Sequence, residues 1–413
     1  MNRDREPPSV PDPATDAWRR FAAEHWAREP VVVAHAPGPG LDAAGAHRLL
    51  VAAAGAPRPT RVRLAVADGE LRAPGPLLPA PRDRDAADYA ARLAGAGRLG
   101  AQGWLLTAEH ALCLNFGLWS RVRGAVAGLW RHVGLPPLPV TAELAVGTRH
   151  RAAEETGARS DAAVLTWVLA GSLTVRVRPE HTGTEFELRA HGGDLVHWPA
   201  GSAHFDDRTR LCTTLRLRVP VRSAAALPYV GEVVQEVLAR HPLPGDEQAA
   251  APHPARVTPG GRLVPAHRLT GPARRYAAAL AGDEPERALL LRWAGLRSAA
   301  GLDPAPPPRP GITLAPHHRL RRTTELVRLR TGAGAEVWAA HGHARSTSSV
   351  AARRVLTHLA HLGTDSYTTV SALAAACRLR SEDPELVTLV DALYRVRAVE
   401  LEPPWGPGPE SES

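Results

Sequence analysis

Residues 193–204 decide the fold that this sequence predicts; they read Gly-Asp-Leu-Val-His-Trp-Pro-Ala-Gly-Ser-Ala-His. An apolar run leads into a Pro-Ala-Gly turn, and His204 follows at the start of the next strand. Upstream, residues 164–177 form two apolar runs separated by Gly171, and downstream residues 212–219 alternate apolar and polar side chains, as a half-buried strand does. The pattern predicts paired strands that hold His204 on a rigid sheet with its ring facing inward.

This arrangement resembles the second half of a cupin barrel, and more closely the JmjC-type cupins of the bacterial ribosomal-oxygenase group. Residues 18–33 are similar to the opening of that group, with a helix, a Trp-x-x-x-Pro stretch and an apolar strand. The resemblance implies an α+β fold built on a double-stranded β-helix, the cupin/JmjC jelly-roll barrel, with flanking helices, a helical region and a C-terminal winged-helix domain. It also implies a hydroxylase that uses Fe(II) and 2-oxoglutarate and acts on a peptide or protein side chain.

Composition shifts along the chain indicate its organisation. Prolines cluster at residues 303–310, and the polar, small-residue loop 242–254 is predicted to be mobile. We therefore expect a disordered leader at 1–14, a barrel domain with N-terminal helices at 15–220, a helical, dimerisation-like region at 221–302, a proline-rich linker at 303–310, a winged-helix-like domain at 311–403 and a disordered tail at 404–413.

The predicted iron site is incomplete. A non-haem iron oxygenase uses two histidines and one carboxylate on one face of the metal. In the family that this chain resembles, the first two ligands form a His-x-Asp motif about a dozen residues before the glycine that Gly171 matches. Counting back without a gap finds alanine and serine, whereas a one-residue gap finds Arg159 and Asp161. Because arginine has no lone pair to donate, the predicted metal ligands are Asp161 and His204, and the third ligand is not identified.

Three residues of the preceding loop, His150, Glu154 and Glu155, could supply the missing ligand. His197 could not, because it lies an odd number of residues from His204 and should face the other way. The alternative interpretation is that His204 is a barrel-core histidine bonded to a neighbour. In that case the protein is a non-catalytic pseudo-oxygenase that serves as a peptide-binding or assembly subunit.

Several cationic residues carry weaker signals. A 2-oxoglutarate carboxylate needs a cation, and four arginines alternate on the predicted barrel strands: Arg176, Arg178, Arg216 and Arg218. Arginines at a period of two are more typical of the solvated face of a sheet, so none is assigned to the oxo-acid. The paired histidines at 317–318 and at 341 and 343 lack partners at metal-ligand spacing and are expected to be loop and edge residues.

Charge gives little support to nucleic-acid binding. The formal net charge is +8, and it comes from arginines spread along a chain without lysine. A third hypothesis, a DNA-binding regulator, would use Arg378 and Arg380 of the winged-helix-like domain. Its expected recognition helix, residues 384–393, carries acidic and apolar residues and would repel phosphate.

Cysteine usage and hydropathy indicate the compartment. Cys113, Cys212 and Cys377 are far apart and odd in number, which is typical of buried thiols in a reducing compartment. No stretch reaches about 18 apolar residues, and the polar N-terminus does not read as a signal peptide. The sequence predicts a cytoplasmic protein without a membrane partner. The family resemblance implies a peptide or protein as substrate or partner and a homodimer as one possible assembly.

Overall fold

The computed structural model describes residues 13–56, 60–66, 69–72, 74–95, 103–151, 161–222, 226–241, 256–261, 263–264, 267–330 and 334–402. The loop 242–254, the tail 404–413 and residues 1–12 of the leader lie outside them. Within the described residues, no helix is long and apolar enough to span a bilayer.

Ten α-helices occur in the described residues. They are α1 Pro13–Glu24, α2 Ala43–Gly55, α3 Ala86–Gly95, α4 Phe116–Val133, α5 Ala226–Ala239, α6 His267–Ala281, α7 Glu284–Ser298, α8 Val350–His361, α9 Val370–Ala376 and α10 Pro384–Arg395. Side chains that accept hydrogen bonds from the first turn fix several starts, including Asp42 before α2 and Asn115 before α4.

The strands of the N-terminal part are β1 Val31–Val33, β2 Arg61–Val66, β3 Gly69–Glu70, β4 Trp104–Glu109, β5 Thr141–Thr148, β6 His150–Arg151, β7 Ala162–Ala170, β8 Ser172–Pro179, β9 Phe186–His191, β10 Leu195–Trp198, β11 Ser202–Arg208 and β12 Cys212–Pro220. The remaining strands are β13 Arg256–Val257, β14 Leu263–Val264, β15 Arg319–Arg322, β16 Val327–Arg330, β17 Glu336–Ala340, β18 His343–Thr347, β19 Tyr367–Thr369 and β20 Val399–Glu402.

Two antiparallel sheets form the barrel that the sequence predicts. The large sheet has the order β1-β10-β7-β12-β5-β4-β2-β3, and the small sheet has the order β6-β11-β8-β9. The turn at Gly171 joins β7 in the large sheet to β8 in the small one. Gly171 has a φ of +81°, and a Cβ there would lie 2.1 Å from the carbonyl oxygen of Leu211. Only glycine therefore suits this tight connection.

The large sheet has a different environment on each face. Trp167 of β7 packs edge-on against Trp18 of α1 at 6.4 Å between ring centroids, and its indole donates to the carbonyl of Pro37 at 3.0 Å. This face belongs to the main hydrophobic core under α1 and α4. The opposite face contributes Val164, Val168 and Trp198 to a second core shared with the small sheet. That second core is the barrel interior.

The C-terminal part contains two small sheets and three helices. One sheet has the order β19-β15-β20, and the other has the order β16-β17-β18. In the second sheet, Val327–Arg330 and Glu336–Ala340 pair as an antiparallel hairpin. Buried residues of α8, α9 and α10 form one core with Leu320 and Trp338. Helix α7, which the sequence analysis assigns to the helical region, packs on β17 and β18.

The proline-rich segment 303–310 has no helix or strand and is bound to its surroundings. The ring of His343 lies 2.8 Å from the carbonyl of Pro306, and Arg397 donates to the carbonyl of Pro307 at 3.0 Å. Arg309 donates to a carboxylate oxygen of Glu400 at 2.9 Å. This segment therefore packs along the C-terminal part.

Candidate functional site

Strand β11 presents a polar stripe to the barrel interior. Its burial alternates, and the buried set is Ser202, His204, Asp206 and Arg208. Side chains two residues apart share one face of a strand, so this stripe lies opposite the interior face of the large sheet. His204 is thus held inward on rigid sheet, as the sequence predicts.

Trp198 covers His204 inside the barrel. The indole of Trp198 is fully buried, and its ring centroid lies 4.8 Å from that of His204. The guanidinium carbon of Arg216 lies 5.2 Å from the centroid of the same indole. A cation beside an aromatic ring at this distance is attracted by the ring's quadrupole. The space beside His204 is therefore occupied by an aromatic ring and a guanidinium.

A buried ion cluster lies next to this ring. One carboxylate oxygen of Asp206 accepts from Arg216 at 2.7 Å and from Arg208 at 3.1 Å. Arg216 also donates to the hydroxyl of Thr166 at 3.1 Å, and Arg208 lies 3.4 Å from the hydroxyl of Thr214. We call Asp206, Arg208 and Arg216 the ion triad. All three are buried, and two guanidiniums against one carboxylate give it a net charge of +1.

The ion triad fixes its own protonation. Burial by itself would raise the pKa of Asp206, but the guanidiniums of Arg216 and Arg208 outweigh burial and hold that pKa far below its usual range. Asp206 is therefore a carboxylate at neutral pH, with one oxygen shared between two arginines. Its other oxygen, Oδ1, has no hydrogen-bond partner within the part of the chain that the structure describes.

His150, one of the residues proposed from sequence as a third ligand, lies beside this cluster. It is buried on β6 and pairs across the strands with Arg208. Burial, and then the positive charge of Arg208, lower the pKa of His150. The ring is therefore neutral at pH 7 and adds no charge to the triad. The other two loop candidates, Glu154 and Glu155, lie outside the described residues, as does Arg159.

His197 faces away from His204, which confirms the alternation argument. Its ring stacks on Trp26 at 5.4 Å and lies 5.2 Å from Phe21, both on the helical side of the large sheet. Nδ1 lies 2.9 Å from the carbonyl oxygen of Val164, and burial lowers the pKa of His197 to about 4. His197 is a neutral core residue.

The prediction of a solvated arginine face is right for β8 and wrong for part of β12. Arg176 and Arg178 are exposed on β8, whereas Arg216 is buried in the ion triad. The error has a physical reason: Asp206 and Thr166 lie on other strands, and only folding brings them within hydrogen-bond distance of Arg216.

Asp161 lies one residue before β7. Its backbone carbonyl accepts from the amides of Val221 and Arg222 at 3.0 and 3.2 Å, which closes the β7–β12 end of the sheet. In β7 the residues that face the barrel interior, Val164 and Val168, are even-numbered. The assignment of Asp161 and His204 as metal ligands stays a prediction.

The described residues near His204 do not fit a divalent metal ion. Among them, no group of three or more histidine, cysteine, aspartate or glutamate residues has the geometry to hold one. The carboxylate nearest in sequence on that face, Asp206, is already bound by two guanidiniums that remain charged at any physiological pH. A divalent cation beside this cluster would meet a net positive charge.

The comparisons with known proteins bear on the fold. No protein-family profile and no curated protein sequence matches the chain. Among solved structures, the chain is similar to YcfD, a ribosomal oxygenase from Escherichia coli, in complex with cobalt and succinic acid; the TM-score is 0.50 and the identity 17%, over 94% of this chain and 98% of that chain. A complex of YcfD with cobalt and 2-oxoglutarate gives a TM-score of 0.48 and 18% identity, with 94% and 98% covered. The two facing antiparallel sheets and the likeness at a TM-score of 0.50 support a fold of the cupin/JmjC type, as the sequence predicts.

Sequence reasoning missed Asp206 and Arg208. The sequence does show a strand with His204, Asp206 and Arg208 on one face and Ala203, Phe205 and Asp207 on the other. A strand with polar residues on one face is normally read as exposing that face. Here both faces carry polar residues, and the sequence does not say which one is covered by the other sheet.

Proposed function

We propose that this protein is a non-catalytic pseudo-oxygenase: it has the fold of an iron- and 2-oxoglutarate-dependent oxygenase, and it acts by binding a peptide or protein partner. The ion triad under Trp198 carries this proposal. The indole of Trp198 packs against His204, and the ion triad lies beside that indole with its charges partly neutralised by one another. Burying an ion pair of this kind costs desolvation free energy, and leaving one of its charges buried without a partner is also costly. For a metal ion to take the place of either arginine at Asp206, the ion triad would have to be broken.

The second candidate function is a 2-oxoglutarate-dependent hydroxylase of peptide side chains. It is favoured by His204, which faces the barrel interior at the end of the Pro-Ala-Gly turn. Its iron ligands would be Asp161, His204 and a third residue, and Fe(II) with 2-oxoglutarate would supply the oxidising chemistry. The donor set of the described residues argues against it, as set out above.

A peptide partner is supported by the edge of the small sheet. Strand β9 ends the order β6-β11-β8-β9 and pairs only with β8 in that sheet, while most of its residues are partly or fully exposed. Extended peptides add to such edges through main-chain hydrogen bonds. The partner we propose is thus a protein segment that can adopt an extended conformation.

We further propose that the helical region 221–302 mediates a homodimer and that residues 311–403 act as a winged-helix module. Support for the dimer comes from apolar residues on the helices: Leu227 and Val230 of α5 are 75% and 45% exposed, and Leu289 of α7 is 38% exposed. Support for the module comes from the succession α8, α9, α10 and β20.

Turnover of 2-oxoglutarate separates the two functions. The full chain is incubated in air with added Fe(II) and 2-oxoglutarate, and succinate is measured for the wild type and for the Asp161→Ala/His204→Ala variant. We expect no succinate above the protein-free background from either protein. Cross-linked partners recovered from cells should be the same for both. Succinate formed by the wild type alone, with partners lost in the variant, would establish the hydroxylase instead.

A further inference from the structure

The C-terminal part contains a strongly basic groove. The groove has a volume of about 860 Å³ and lies between the β16–β17 hairpin, one side of α8 and the end of α9. We call it the basic groove. Its lining is Arg328, Arg330, Gly334, Ala335, Glu336, Val350, Arg353, Arg354, Thr357, His358, His361, Ala376, Cys377 and Arg378.

Five of these residues are arginines and only one is acidic. Glu336 is buried and is engaged by Arg328, which also donates to the hydroxyl of Thr357 at 2.9 Å. Arg353 donates to the carbonyl of Gly334 at 3.1 Å. Five guanidiniums and one carboxylate give the lining a net charge of +4 before its histidines are counted.

Three of the arginines have no counter-charge. Within the described residues, the guanidiniums of Arg330, Arg354 and Arg378 make no hydrogen bond or ion pair, and all three side chains are exposed. Helix α8 contains no aspartate or glutamate along Val350–His361. Like charges gathered in one concave surface repel one another and focus the local potential. A bound polyanion would relieve that repulsion.

We propose that the basic groove binds the phosphodiester backbone of a nucleic acid. Arginine matches phosphate through bidentate hydrogen bonds, and contacts of this kind dominate the affinity of nucleic-acid-binding proteins. This site is independent of the barrel and of the function proposed for it.

The composition of the lining favours a nucleic acid over an acidic protein segment. Protein interfaces depend on buried aromatic or large aliphatic anchors. None of the described residues that line the groove is aromatic, and the apolar ones among them are small apart from Val350. Phosphate contacts need no apolar anchor, because they position a backbone without reading its bases.

The acidic residues that disfavour nucleic-acid binding lie outside the groove. They belong to residues 384–393, which form most of α10. The groove lies instead beside α8 and gathers Arg330, Arg354 and Arg378, which are far apart in sequence. Arginines that look evenly spread along the chain are concentrated on one surface by the fold.

The proposal is tested with the full chain and a fluorescein-labelled, mixed-sequence single-stranded RNA, with DNA of the same sequence as a second arm and a poly-glutamate peptide as a third. Affinity is measured by fluorescence anisotropy between about 50 and 200 mM salt. The test variant is Arg330→Glu/Arg354→Glu/Arg378→Glu. The matched control reverses three exposed arginines elsewhere, Arg210→Glu/Arg345→Glu/Arg395→Glu, and therefore has the same net charge. Thermal melts followed by circular dichroism check that both variants fold. If the groove variant does not fold, the same three arginines are replaced by glutamine instead of glutamate.

Loss of three phosphate contacts should weaken binding by about tenfold or more and lower the slope of log affinity against log salt by about 2 for a single strand. The control should stay within about threefold of the wild type, because its arginines lie outside the groove. Tighter binding of RNA than of DNA, or the reverse, would identify the type of nucleic acid. Equal losses in both variants, or poly-glutamate binding that is as tight as that of the nucleic acids, would overturn the proposal.

Discussion

Replacing Asp206 by asparagine tests the ion triad most sharply. Asparagine keeps the shape of the side chain and removes the carboxylate charge that pairs with Arg208 and Arg216, which are both buried. Removing one partner of a buried ion pair costs about 3–5 kcal/mol, because the remaining charge is left uncompensated. For a domain of this size that corresponds to a fall of about 10 °C in Tm. Urea unfolding at pH 7, followed by tryptophan fluorescence, measures the free energy of unfolding directly.

The neighbouring residue provides the control. Asp207 points to the other face of β11 and pairs with Arg151, whose side chain is 73% exposed. Asp207→Asn should therefore cost less than about 1 kcal/mol. A third variant, Asp206→Leu/Arg208→Met/Arg216→Leu, removes all three charges together and should recover most of the loss. If Asp206→Asn costs no more than Asp207→Asn, the triad does not hold the barrel together and the reasoning is wrong.

The pH dependence gives a second check on the same residue. The folded pKa of Asp206 is lowered below its unfolded value of about 3.9. Its contribution to stability is therefore fully present above about pH 4 and is lost as the pH falls further. Asp206→Asn should lose this acid-dependent component and show a flatter stability curve below that pH.

The remaining predictions concern other parts of the chain. The folded pKa of His197 is about 4, so the free energy of unfolding should fall by a few kcal/mol as the pH drops from about 6.5 to 4. Urea unfolding of His197→Phe should show a smaller fall over the same pH range. A fall as large as that of the wild type would refute the role of burial. Gly171→Ala should destabilise the protein more than Gly183→Ala, because both need a positive φ but only Gly171 lacks room for a Cβ; equal Tm values would contradict this. Leu227→Glu/Val230→Glu should convert the expected dimer to a monomer in light scattering, and a wild-type monomer would remove the basis of the dimer proposal.

Much of the fold was predictable because its signals are local. The alternation of apolar and polar residues in 61–66 is a local signal of β2, and Asp42 and Asn115 are residue types that cap helices, as they do for α2 and α4. The strand–turn–strand pattern around Gly201 positioned β10 and β11. Pairings between distant segments were not predictable in this way: β15, for example, pairs with both β19 and β20. Such contacts leave no periodic trace in a single sequence.

The candidate site was only partly predictable, for a related reason. The position of His204 followed from the turn before it, and the orientation of His197 followed from the period of a strand. The ion triad depends on β11 and β12 lying in two different sheets that face each other, so no spacing rule connects Asp206 to Arg216. The basic groove is similar, since its unpaired arginines come from a hairpin, a helix and a helix end.

Anaerobic iron binding shows whether protein groups have taken the place of the metal in the barrel. The wild type and the His204→Ala variant are equilibrated with Fe(II) and 2-oxoglutarate, freed of unbound metal by gel filtration, and analysed for iron. We expect substoichiometric iron that is equal in the two proteins. Stoichiometric iron in the wild type that is lost in His204→Ala would contradict it.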